Sequence, residues 1–309
     1  MSLSPQLHHR RRHALLRPEV AIPFLLVALI WGSTWLVIKD QLGAAPPSWS
    51  VAYRFAIATA GMALLAARQG TGFRMTASGH LFALGIGLSQ FFGNFNFVYR
   101  AELHLTSGIV AVLFALLMVP NALLGRVFLG VTVTGRFLIG TVIALGGITL
   151  LLAHESMAMD PGTSIELGLV FTVLGILAAS IANVMQASET ARKQPIVLLL
   201  AWAMAWGTLF DITLAWSVSG PPVIPVEPRY WAGVAYLGLI GSVVTFPLYF
   251  KLIRDLGPGR AAYNGVLVPV VAMALSTVFE NYQWSRLAIA GAVLALLGML
   301  VALRGRQID

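Results

Sequence analysis

Two charges sit inside long apolar stretches of this sequence, Arg54 and Asp211. A guanidinium in such a place can hold a carboxylate, and a carboxylate can carry a proton through a region that water does not fill. Each also has a plainer reading. Arg54 stands about six residues from the end of its stretch, near enough for its head to reach water while its stem lies in apolar surroundings. The two charges could also satisfy one another. Asp211, the carboxylate placed deepest in its stretch, is the candidate for proton coupling.

Amides, hydroxyls and large rings recur in the same stretches. Ser33 and Thr34 lie between Trp31 and Trp35; Ser89, Gln90, Asn94, Asn96 and Tyr99 crowd one segment; Asn183 precedes Gln186; Trp202 precedes Trp206; Tyr263 adjoins Asn264. A spacing of four puts Gln90 with Asn94, and Trp202 with Trp206, on one helical face, with Phe97 continuing the first. Amide donors and acceptors beside aromatic rings suit a zwitterion with a planar or apolar side chain. The same residues serve equally well as hydrogen-bonding glue between helices or as ring anchors at a membrane surface. Trp49, Trp231 and Trp284 fit the anchor reading, and Trp31 the cavity reading.

Other chemistries find no constellation. The six histidines (His8, His9, His13, His80, His104 and His154) fall in the tail or at segment ends and form no metal pair, and the chain has no cysteine. No phosphate-cradling G-x-x-x-x-G-K-[ST] loop, serine elbow or paired intramembrane aspartates occur. No metal and no cofactor are expected, and an enzyme is disfavoured.

The elements that must position these residues follow from composition. Of 309 residues, 58% are apolar and 10% charged, with a mean hydropathy of +0.83. Soluble domains carry roughly a quarter charged residues. A bilayer span takes about 20 apolar residues, and ten segments of that kind fall near 20–38, 49–67, 79–99, 104–125, 135–153, 166–187, 196–217, 230–250, 259–279 and 286–303. The fold class predicted is an all-α membrane protein of ten transmembrane helices. With the N-terminus cytoplasmic, 15 of the 20 basic residues fall on the cytoplasmic side and four on the other, Arg54 being within a span, as the positive-inside rule requires. The net charge of +8 is thus a topology signal, and no nucleic-acid partner is expected. The stretch from Val20 to Ile38 is too long for a signal-peptide core and reads as a retained first span.

The halves resemble each other. Ile139–Gly147 matches Ala290–Gly298 at an offset of 151, Glu102-Leu103 matches Asp255-Leu256 at 153, and Pro120 matches Pro269 at 149. Five spans repeated once must enter the membrane from opposite sides. The expected organisation is a basic tail over 1–19, repeats over 20–153 and 166–303 with an outer loop 154–165 between them, and a tail over 304–309. Inverted repeats with helix-interrupting residues at matched positions point to a secondary transporter, in which Pro120 and Pro269 are hinge candidates.

Trp31-Gly32-Ser33-Thr34-Trp35, Tyr53-Arg54-Phe55, the mid-helix Pro120 and Pro269, Glu280, and the Gly291 to Gly298 pattern together resemble the EamA family of the drug/metabolite transporter superfamily, over nearly the whole chain after residue 20. Within that family the chain looks most like the aromatic amino-acid exporters. The resemblance implies a carrier in the bacterial inner membrane with both termini cytoplasmic, moving small metabolites by alternating access. Its partners would be a small-molecule substrate and the lipid bilayer, with the carrier a monomer. The expected substrate-binding residues are Trp31, Ser33, Thr34, Arg54, Gln90, Asn94, Tyr99, Asn183, Gln186, Trp202, Trp206, Tyr263 and Asn264. A multidrug or other metabolite permease is the alternative; a channel or a non-transporting membrane protein is a more distant one. One departure stands out: the family's first repeat often has Gly-Glu after its fourth span, where this chain reads Phe128-Leu129-Gly130-Val131.

Overall fold

The computed structural model describes residues 18–70, 72–130, 132–158, 164–256 and 264–305. The expected tails (apart from residues 18, 19, 304 and 305), part of the 154–165 loop, and Tyr263 lie outside these residues. Among the described residues ten helical rods follow in order: α1 (Pro18–Gln41), α2 (Pro47–Arg68), α3 (Ala77–Ile86, Gly87–Asn94 and Phe95–Ala101), α4 (Ser107–Phe114, Ala115–Leu117 and Met118–Leu129), α5 (Gly135–Ala158), α6 (Ile165–Ala187), α7 (Ile196–Ser219), α8 (Pro228–Ala235, Tyr236–Val244 and Thr245–Leu256), α9 (Asn264–Phe279) and α10 (Arg286–Gly305), with one extra turn at Glu189–Arg192. Rods α1 to α8 are each long and apolar enough to cross a membrane over the described residues; Asn264–Phe279 and Arg286–Ala302 are shorter apolar helices. The fifth rod runs on to Ala158, five residues beyond the expected span, because nothing between His154 and Ala158 breaks a helix.

The chain is apolar on its outside as well as within. Leu138, Ile139, Val142 and Leu145 of α5 and Val170, Val173 and Leu177 of α6 are exposed, as residues facing lipid must be. Polar groups instead turn inward, where other helices satisfy them. Local sequence starts and stops the rods. The Thr76 hydroxyl accepts from the Gly79 amide and the Ser164 hydroxyl from the Leu167 amide, while Gly130, at φ 69°, ends α4 in a left-handed turn.

Three of the rods depart from α-helical geometry. The middle of α3 and the middle of α8 are both π-helical, over Gly87–Asn94 and Tyr236–Val244, and they begin 149 residues apart. Long π stretches are rare and gather at functional places. In α4 a 3₁₀ turn, Ala115–Leu117, precedes Pro120, whose ring removes a backbone donor and clashes with the carbonyl four residues back. Pro269 sits inside α9.

The halves also meet on themselves. In α2 and α7, Thr59 and Thr208, 149 residues apart, share a hydroxyl hydrogen bond of 3.2 Å. Antiparallel packing there also joins Ser48 to Ser219 at 3.0 Å. In α5 and α10 the glycines form a second seam. A Cβ on Gly140 would lie 2.5 Å from the Gly298 carbonyl oxygen, and one on Gly147 would lie 2.6 Å from that of Gly291. Only glycine permits backbones this close, and close backbones are what hold helices together where lipid is as apolar as leucine.

Candidate functional site

A cavity of about 190 Å³ lies between α1, α2, α3, α4, α6, α8 and α9, well above the space one water needs. Both halves build it. Seven aromatic rings stand in its wall, among them Trp31, Trp35, Phe95, Phe114, Phe246 and Tyr249. They brace one another, Trp31 against Phe246 at 5.6 Å and Tyr249 at 4.9 Å between centroids, and Trp35 against Phe114 at 5.0 Å. The Trp31 indole N–H is spoken for, donating to Thr245 Oγ1 at 3.0 Å and the Gly241 carbonyl at 3.3 Å, so its face rather than its edge is free to stack.

The polar part of the wall is small. Thr34, Arg54, Gln90, Asn94, Asn183 and Asn264 supply it. Gln90 and Asn94 belong to the π stretch of α3. Asn94 Oδ1 and Asn264 Oδ1 are buried with no hydrogen-bond partner among the described residues. The Asn264 amide donates to the Phe24 carbonyl at 2.8 Å, and Asn183 donates to Asn121 Oδ1 at 3.5 Å.

Arg54 does not reach water. It is 2% exposed, its guanidinium lies over the Phe95 ring at 4.2 Å and near Phe55 at 5.2 Å, and Nη2 donates to Ser242 Oγ at 3.4 Å. The Tyr99 hydroxyl is beside it. Nε and Nη1 are buried without a partner, and no carboxylate among the described residues stands within salt-bridge distance.

Hydrogen bonds draw the rods together where α1 reaches Gln41. There Lys39 Nζ donates to the Glu102 and Leu105 carbonyls, and Glu280 accepts from the Ser107 amide at 3.2 Å and from its hydroxyl. Tyr99 donates to Gln41 Oε1 at 3.1 Å. Toward the other end the wall is made by Tyr249 and Phe250 late in α8 and by Asn264 and Gly265 in the first turn of α9. A side chain on Gly265 would meet nothing within 4 Å.

The structure brings Trp31, Thr34, Arg54, Gln90, Asn94, Asn183 and Asn264 to one cavity, and does not bring Ser33, Tyr99, Gln186, Trp202 or Trp206 there. Ser33 bonds the Ile30 carbonyl and the Tyr236 hydroxyl. Tyr99 is turned to Gln41, and Gln186 lies one turn past Asn183 outside the wall. Trp202 donates to the Phe73 carbonyl at 3.1 Å, and with Trp206 it packs on His80 at the end of α7 away from the cavity. Arg54 and Asp211 do not pair. Asp211 Oδ1 accepts from Asn96 at 2.6 Å, and Arg100 in turn donates to Asn96 Oδ1 at 3.0 Å. This chain lies between α3 and α7, off the cavity wall, because Asn96 falls on the other face of α3 from Gln90 and Asn94.

Sequence reasoning passed over Phe95, Phe114, Phe246 and Tyr249, since phenylalanines in apolar helices carry no mark of their own. Trp35, one turn after Trp31, was the available signal. Glu102 was noted only as a repeat match, and it is fully buried with both carboxylate oxygens unpartnered.

Comparison with known proteins agrees with this architecture. The profile of the EamA-like transporter family matches residues 20–153 and 166–304. The protein PagO of Salmonella typhimurium is 22% identical over 94% of this chain and 94% of its own length. A protein of Escherichia coli described as a probable amino-acid metabolite efflux pump is 23% identical, over 91% of this chain and 93% of its own. A crystal structure with 19% sequence identity superposes with a TM-score of 0.69, covering 94% of this chain and 98% of the other, which speaks to the fold. The profile spans both halves of the chain, and the chain belongs to the EamA-like transporter family.

Proposed function

We propose that this transporter exports small amphipathic metabolites, aromatic and neutral amino acids above all, across the bacterial inner membrane by alternating access. In this reading it has ten spans arranged as two inverted five-helix repeats, with a short basic tail before the first repeat and both termini in the cytoplasm. The observation that carries the reading is the cavity: a space built by both halves, with aromatic rings, a few amides and one guanidinium in its wall. Rings suit planar side chains, and the amides suit the polar end of an amino acid. The substrate contacts are assigned to Trp31, Thr34, Arg54, Gln90, Asn94, Asn183 and Asn264. Asp211, buried with Oδ2 unpartnered, is assigned proton coupling, and Pro120 with Pro269 the bending of α4 and α9.

The test is uptake and counterflow of labelled amino acids in proteoliposomes, with and without a proton gradient. Counterflow that tryptophan, phenylalanine or leucine saturates is the expected result. Asp211→Asn should keep counterflow and lose the response to the gradient, and alanine at Pro120 and Pro269 should slow turnover more than it weakens binding. Folded protein that exchanges no amino acid would hand the reading to a drug or other metabolite permease.

A further inference from the structure

The polar wall of the cavity is lopsided in charge. Arg54 is its one charged side chain, and no Asp or Glu among the described residues lines it. The guanidinium is held on the Phe95 ring by its stacking, by Ser242 and by the Tyr99 hydroxyl beside it, while Nε and Nη1 are buried without a partner of their own among the described residues. A buried guanidinium with N–H groups to spare on both sides of its stem suits an anionic oxygen acceptor such as a carboxylate. The nearest acid whose field it feels, Glu102, makes no ion pair with it.

For the other end of an amino acid the wall has only neutral acceptors. Asn94 Oδ1 is buried and unpartnered, as is Asn264 Oδ1. An amide oxygen accepts from an N–H of any kind, charged or not. It brings no negative charge to offset the desolvation of an ammonium, and a second positive charge near Arg54 is opposed by the first.

From this arrangement we propose that the cavity selects its substrate by the carboxylate and tolerates loss of the ammonium. Aryl carboxylates and amine-blocked aromatic amino acids are then substrates alongside the amino acids, and aromatic amines lacking a carboxylate are not. The proposal rests on the reading of the cavity as the substrate site, and it narrows the chemistry that site takes.

The experiment is counterflow of labelled tryptophan in proteoliposomes, challenged with unlabelled N-acetyltryptophan, indole-3-propionate and tryptamine, together with direct binding of labelled indole-3-propionate to the purified protein. The two acids should compete within a fewfold of tryptophan. Tryptamine should be weaker by at least about tenfold, the loss of one charge-assisted contact. Arg54→Lys should keep that preference, and Arg54→Gln should abolish it while tryptamine gains. Competition by tryptamine equal to that of tryptophan, with N-acetyltryptophan inert, overturns the proposal. So does an Arg54→Gln protein, folded by its melting curve, that still prefers the acids. Absence of tryptophan counterflow with indole-3-propionate still bound removes the amino-acid reading and leaves the carboxylate rule standing. Absence of both removes the rule.

Discussion

Trp31 and Trp202 are the same residue type, and they are held in opposite ways. Trp31 is fixed by two hydrogen bonds through its N–H and presents a face to the cavity. Trp202 spends its N–H on the Phe73 carbonyl and packs on His80, away from the cavity. Trp31→Ala should therefore raise the half-saturation concentration in counterflow by about tenfold, the worth of a lost stacking contact near 1.4 kcal/mol. Trp202→Ala should leave it within about twofold, and equal effects would remove Trp31 from the substrate contacts. The sequence distinguished these two only by Trp31 standing deep in its span with Ser33 and Thr34 beside it. It left Arg54 free to reach water, because spacing along α2 cannot show that Phe95 of α3 and Ser242 of α8 close over it. For the same reason Asp211 looked like a partner for Arg54. Which way a helix is rotated against its neighbours is settled by long-range packing, and a single sequence records that only as a faint periodicity in helices that are apolar all round.

Among the elements, the turn between α3 and α4 holds the residue with the clearest pH response. Glu102 lies there, outside the spanning rods and wholly buried, and burial raises its carboxyl well above the usual carboxylate range. Lys39 opposes that shift, Glu280 adds to it, and Arg54 opposes it. An acid whose value is raised in one state favours that state while it is protonated, so the packed arrangement at the Gln41 end is fully stable below the ordinary carboxylate value and weakens as pH rises through the raised one. The chain has no cysteine, which makes the test direct. A single cysteine at Ile38, on the cavity wall below that end, should label faster with an outside maleimide as pH increases. Glu102→Gln should label slowly at every pH, and an unchanged pH profile in that variant would remove Glu102 as the cause. At this scale the sequence was more legible. Ten apolar segments, the offset near 150 and both mid-helix prolines were all readable from it. The π stretches in α3 and α8 were not, because extra-wide turns leave no sign in residue type, and what marks them is their recurrence 149 residues apart.

At the scale of the whole molecule, two seams join its halves. The Thr59–Thr208 bond and the glycine pairs of α5 and α10 each bring a residue against the counterpart of itself or of its neighbour. Two copies of one surface, packed antiparallel about a two-fold axis, satisfy each other by symmetry alone. These seams are what a dimer of half-length chains would need if such a chain were inserted in both orientations, and the present molecule carries that interface folded into one polypeptide. Residues 1–160 and 161–309, expressed together as separate chains, should copurify from the membrane as a stable pair. Leucine in place of Gly147, whose Cβ alone would lie 2.3 Å from the Ala295 nitrogen, should part them. Halves that never associate would mean that the link, and not the seam, holds the protein together.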